Sequence, residues 1–129
     1  MSVYVETSAA AKLLVEEPES AALTKYLDDL VDRSPLISSM VLETELRRFA
    51  VRHDLNQSAV SDVLDRFDLI DLDRAIFVEA GLLPGTHLRS LDALHIAVAV
   101  RMGADSMVAY DVRQAESARA VGLRVVAPH

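Results

Sequence analysis

The segment Ser90–Arg101 constrains the fold more than any other part of this chain. Leu91, Ala93, Leu94, Ile96, Ala97, Val98, Ala99 and Val100 leave a helix there with almost no polar face. A helix that is apolar nearly all round is a buried one. Gly103 fits just past its end. The rest of the sequence supplies the layers that would bury it. Short runs rich in β-branched and apolar residues read as strands: Val3-Tyr4-Val5, Leu36-Ile37-Ser38, Leu69-Ile70-Asp71, Met107 to Tyr110 and Leu123 to Val126. Helical stretches alternate with them. Thr7 and Ser8 offer a cap for a helix through Leu14, and Pro18 suits the first turn of a helix to about Asp32. Ser39 can cap a helix through His53; others are expected at Gln57–Phe67, Asp73–Leu83 and Val112–Val121, and Pro84-Gly85 breaks the chain. Strands alternating with helices imply an α/β class, with a mostly parallel sheet covered on both faces. No repeat or linker interrupts the pattern, so residues 1–129 are expected to form one domain.

Composition narrows the function. Cysteine is absent, which excludes a disulfide framework and thiolate metal sites and permits a cytoplasmic setting. Glu6 interrupts the first apolar run before it could act as a signal segment, and no stretch approaches a membrane span. The formal net charge of −7 argues against nucleic-acid binding by charge attraction alone and points to a basic protein partner. Of the thirteen basic residues only Lys12 and Lys25 are lysine, and arginine is the better fork for phosphate.

Four carboxylates stand where chemistry is expected. Glu6 and Asp111 each follow an apolar strand, and the carboxyl edge of a parallel sheet is where ligands bind. Either acid could instead merely cap the helix that follows it. Asp92 lies in the first turn of the buried helix, where the helix dipole favours it, yet a lone charge near the interior is costly unless a cation is present. Glu45 borders the apolar stripe Leu42, Leu46, Phe49, Ala50, with Arg48 and Arg52 one and two turns on. It could form a surface pair with Arg48, or sit at the edge of a cleft whose arginines hold phosphates. Carboxylates gathered in one cavity repel one another, and a cation relieves that repulsion. Oxygen-only ligands favour Mg²⁺ or Mn²⁺. His95, one turn after Asp92, is read as a packing or hydrogen-bonding residue, and His53, His87 and His129 form no metal-spaced group.

The stretches Tyr4-Val5-Glu6-Thr7-Ser8-Ala9, Glu45-Leu46-Arg47-Arg48, Ser90-Leu91-Asp92-Ala93-Leu94-His95, Tyr110-Asp111 and Gly122-Leu123, in that order along the whole chain, resemble the motifs of PIN domains, and within them the VapC-type toxins of bacterial toxin–antitoxin pairs. The resemblance implies a five-stranded parallel sheet with helices on both faces. It implies a Mg²⁺ or Mn²⁺ site built from Glu6, Glu45, Asp92 and Asp111, endonucleolytic cleavage of RNA such as tRNA or rRNA, an antitoxin that blocks the site, and a homodimer. Thr7 and Ser8 would orient the site and contact RNA, together with Arg48, Arg52 and Arg113. Two positions depart from the pattern: Glu6 stands where aspartate is usual, and Ala109 where threonine is common.

Two other readings compete with this one. A phosphoacceptor receiver domain is also small, acidic and α/β, but it needs a lysine after a late strand, and Lys12 and Lys25 are both early. A PIN-like module that binds without efficient cleavage is kept open by Glu6.

Overall fold

A computed structural model describes residues 1–129. Five parallel strands form one sheet: β1 (Val3–Val5), β2 (Leu36–Ser39), β3 (Asp68–Ile70), β4 (Ser106–Val108) and β5 (Arg124–Val126). Their spatial order is β3-β2-β1-β4-β5. The chain thus builds outward from β1 in one direction, then returns to its other side. The register is tight at the centre, where Val3, Tyr4 and Val5 lie beside Ser106, Met107 and Val108.

Seven helices cover the sheet: α1 (Thr7–Ala10), α2 (Ser20–Leu30), α3 (Val41–Arg52), α4 (Gln57–Leu64), α5 (Arg74–Gly81), α6 (Ser90–Arg101) and α7 (Val112–Ala120). A single 3-10 turn, Ala11–Leu13, follows α1. Strand periodicity decides which helices meet which face. Val3, Val5, Leu36 and Val108 point into one core with Leu23, Leu27, Leu42, Leu46, Val60 and Leu64 from α2, α3 and α4. Tyr4, Ile37 and Met107 point the other way, onto α5, α6 and α7.

The expected elements are present, with shifted edges. Pro18 lies in a turn ahead of α2 instead of inside its first turn. β4 ends at Val108, so Asp111 stands on a loop and not directly at a strand end. In α6, seven consecutive residues from Ala93 to Ala99 are buried, while Leu91 and Val100 at its ends are about half exposed. The buried stretch therefore covers two turns of the helix and leaves its ends in solvent.

Ile96 has no exposed surface. Truncating such a side chain removes its transfer free energy and leaves a cavity. Ile96→Ala should lower unfolding stability by about 2–5 kcal/mol, read from urea midpoints at unchanged slope. A loss well under 1 kcal/mol would mean that α6 is not the packed centre of its layer.

Candidate active site

The strand order reverses between β1 and β4, and ligands of open α/β sheets bind outside the carboxyl ends at such a point. Glu6 and the loop leading to Asp111 emerge there. Both acids cap helices. Glu6 has an extended backbone and accepts from the Ala9 backbone N–H at 3.3 Å, opening α1. Asp111 accepts from the Gln114 backbone N–H at 3.0 Å, opening α7. The capping role and a role at the sheet edge thus coexist in the same residues.

Glu6 is nearly sealed, with 2% exposure. Its Oε1 also accepts from the Ser8 hydroxyl. The Ser8 oxygen in turn accepts from the Tyr110 backbone N–H at 2.9 Å. Ser8 therefore clasps the ends of the two central strands. The longer side chain of Glu6 is folded back into the cap instead of extending away from the strand. Burial pushes its carboxyl above the usual range, against the lowering effects of the Ser8 hydrogen bonds and of His95.

Asp92 is half-buried at the mouth of α6. Burial raises its carboxyl, and the nearby charges of Asp111 and Glu45 raise it further. His95 and Arg89 pull it down by less. Asp92 and Asp111 line one cavity of about 400 Å³, with His87, Arg89, Arg113 and Gln114 around them. Gln114 is fully buried; its amide Nε2 donates to the Asp92 carbonyl at 3.4 Å, while its Oε1 has no protein partner. It ties α6 to α7 beneath the two acids.

Glu45 does not form the surface pair with Arg48; the ion pair on this helix is Arg47 with Glu43. Glu45 Oε1 instead accepts from the Thr7 hydroxyl at 2.5 Å and lies 2.6 Å from His95 Nε2. Burial acts to raise its carboxyl, but the hydrogen bonds and charge of His95 and the Thr7 bond outweigh that and hold it below the usual carboxylate range. A second hollow of about 250 Å³ brings together Thr7, Glu45, Arg48, Arg52 and Leu91. Arg48, Arg52 and Arg113 are exposed.

The geometry thus joins Asp92 with Asp111 and Arg113 in one cavity, and Glu45 with Thr7, Arg48 and Arg52 in another. It does not draw all four acids into a closed cage, because no three His, Asp or Glu side chains converge at metal-ligating spacing. Two residues carry more than their sequence suggests. His95 is the hub linking β1, α1 and α3, a role that only the partners of a fully buried histidine reveal. Gln114 gave no signal at all, since nothing in a polar residue on a mostly polar helix marks it as buried.

The raised carboxyl of Asp92 has a measurable consequence. A group that holds its proton more tightly folded than unfolded loses stability for the fold as pH rises from its unfolded range through its raised value. Asp92→Asn removes that loss while keeping size and hydrogen-bonding capacity. The melting temperature of the metal-free protein should rise at neutral pH, and the gain should vanish below about pH 3.9, where the carboxyl is protonated in both states. A lower melting temperature at neutral pH would show that the helix dipole, and not repulsion, dominates at this position.

A family model for the PIN domain matches residues 3–120. Ribonuclease VapC35 of Mycobacterium tuberculosis (strain CDC 1551 / Oshkosh) is 42% identical over 132 residues, covering 98% of this chain and 96% of that protein. Ribonuclease VapC46 of Mycobacterium tuberculosis (strain ATCC 25618 / H37Rv) is 36% identical over 130 residues, covering 98% of both. Among solved structures, VapBC2 from Rickettsia felis, bound to a DNA fragment from their promoter, superposes with a TM-score of 0.78 at 18% identity over the whole of both chains. Mycobacterium tuberculosis VapC20, a sarcin–ricin-loop-cleaving toxin, gives 0.74 at 20% identity over 98% of this chain and 100% of that one. The fold, the order of the acidic motifs and these full-length likenesses agree: the chain belongs to the PIN domain family, among its VapC members.

Proposed function

We propose that this chain is a VapC-type toxin: an endoribonuclease that hydrolyses RNA phosphodiester bonds with Mg²⁺ or Mn²⁺, acts in the cytoplasm, and is held in check by a basic antitoxin. The observation that carries this reading is the Asp92–Asp111 pair. Asp92 is half-buried, pushed up by burial and by its acidic neighbours, and shares a cavity with Asp111 at the point where strand order reverses. The ribonuclease names of full-length relatives support the reaction class. The same names support RNA as the substrate, and the resemblance of the motifs supports tRNA or rRNA as the substrate class.

The residues present fit a hard divalent cation. The donors are all oxygen, and Mg²⁺ is commonly held by one or two carboxylates while keeping several waters. Asp92 and Asp111 would hold it, and Glu6 and Glu45 would complete the carboxylate set around it. When bound, such an ion stabilises charge on phosphate oxygens and makes a water more acidic. The chain's own groups do the remaining work. Arg48 and Arg52 beside Glu45, and Arg113 beside Asp111, offer forks for the phosphates flanking the cut. Glu45 stays ionised, and its Oε2 carries no protein hydrogen bond, leaving that oxygen to face a ligand. Glu6 and Ser8 hold the ends of β1 and β4 together. A homodimer is part of the same proposal.

The folded-back Glu6 favours a slow enzyme, and in its extreme form a binding module that cuts poorly. Mg²⁺ needs near-octahedral oxygens at about 2.0–2.1 Å and does not tolerate stretched coordination. Aspartate is a better helix cap and reaches less far. A metal titration on one RNA should show the parental chain cutting slowly and preferring Mn²⁺, Glu6→Asp gaining Mg²⁺-dependent rate, and Asp92→Asn falling to the metal-free background. Equal Mg²⁺ dependence of the parental chain and Glu6→Asp would show that the site has already adjusted to the longer side chain. No cutting by the parental chain with either ion would establish the binding-module reading.

The net charge of −7 and the acidic cleft also suit a basic antitoxin that places an arginine on the carboxylates. Co-purification from the native host should recover such a partner, with affinity falling as salt rises. Recovery of the chain alone, with unrestrained nuclease activity, would count against it.

A further inference from the structure

His95 has no exposed surface and lies inside α6, one turn beyond Asp92. A buried imidazole that only packed would need few polar partners. This one has three, from three different elements. Its Nδ1 lies 2.6 Å from the hydroxyl of Tyr4, itself fully buried in β1. Its Nε2 lies 2.6 Å from Oε1 of Glu45 on α3 and 3.0 Å from the Thr7 hydroxyl on α1. The Tyr4 and His95 rings meet edge-on at 73°.

Elementary donor and acceptor rules settle the bond to Glu45 and, for a neutral ring, the bond to Tyr4. A carboxylate can only accept, so the 2.6 Å contact with Glu45 requires a hydrogen on Nε2. In a neutral ring Nδ1 then accepts. Tyr4 supplies the donor, because a phenol keeps its proton at neutral pH. Thr7 gives its one hydroxyl hydrogen to Glu45, and its oxygen can take a share of the Nε2 hydrogen. Both protein bonds to Glu45 reach the same oxygen, Oε1, while the residue lines the hollow with Arg48 and Arg52.

We propose that His95 is a positioning residue: fixed by Tyr4 at Nδ1, it donates from Nε2 to Oε1 of Glu45 and so turns Oε2 toward the substrate. The proposal rests on the ribonuclease reading above and deepens it. A free glutamate samples many rotamers, and ordering it in advance removes that cost from the bound state. Tyr4 acts one step further back, selecting the ring tautomer that can donate to Glu45.

The test has a spectroscopic arm and a kinetic arm. Ring ¹⁵N–¹H correlation spectra of the metal-free protein should show His95 protonated at Nε2. Tyr4→Phe removes the donor at Nδ1 and should move part of the population to the Nδ1–H form. On RNA, His95→Leu should lower kcat by about 10- to 100-fold with little change in KM, the usual size of an effect through a supporting residue. His95→Gln, whose amide N–H can reach the same oxygen, should recover much of that loss. A bare Nε2 in the parental protein overturns the proposal, as does a folded His95→Leu that cuts at the parental kcat. Should His95→Leu fail to fold, Tyr4→Phe, which deletes one oxygen, decides by the same two readouts. If the parental chain cuts no RNA, the ribonuclease reading fails first, and the tautomer alone decides whether His95 orders Glu45.

Discussion

Parallel pairing of β1 with β4 governs the arrangement of everything else. Val3, Tyr4 and Val5 lie against Ser106, Met107 and Val108, and each strand turns alternate residues to opposite faces. Because the chain then runs out to β3 on one side and β5 on the other, the carboxyl ends of β1 and β4 are flanked by helices leading in opposite directions. That geometry opens the crevice. The clasp of Ser8, donating to Glu6 and accepting from the Tyr110 N–H, keeps the two ends from splaying.

Acidic groups collect at this edge, and the fold compensates most of them separately. Glu6 is neutralised in part by the α1 N-terminus and the Ser8 hydroxyl. Asp111 sits at the α7 N-terminus. Glu45 draws on Thr7 and on a histidine held by a tyrosine. Asp92 is left with the α6 dipole and the weaker pull of His95 and Arg89, against burial and two acids. Two carboxyls are thus left raised, Glu6 sealed in its cap and Asp92 beside a cavity. A protein that only needed a stable edge would gain by replacing Asp92.

The layout of this molecule is legible in its residues because periodicity and capping are local properties. Alternating strands, the near-uniform apolar stretch of α6 and the acids after β1 and before α7 all follow from neighbours a few positions away. What escaped is long-range. Glu45 looked equally ready to pair with Arg48 on its own helix; its partner is His95 on α6, fifty positions later in the chain. Of the two roles open to Glu6 the cap is realised, ahead of Thr7 and Ser8, the better caps by type, because α1 begins at Thr7 itself. Burial of Gln114 depends on α7 packing against α6, which no pattern within α7 encodes.

The clasp between β1 and β4 joins residues 102 positions apart in the chain. Ser8 finds its backbone donor only when Tyr110 has been made, and Asp92 meets Asp111 only after α7 can begin. A nascent chain emerging N-terminus first holds β1, β2 and β3 well before β4 can pair beside β1. Until then Glu6, Glu45 and Asp92 are present without Asp111. The cavity shared by Asp92 and Asp111 therefore cannot assemble until the segment beyond β4 has been made.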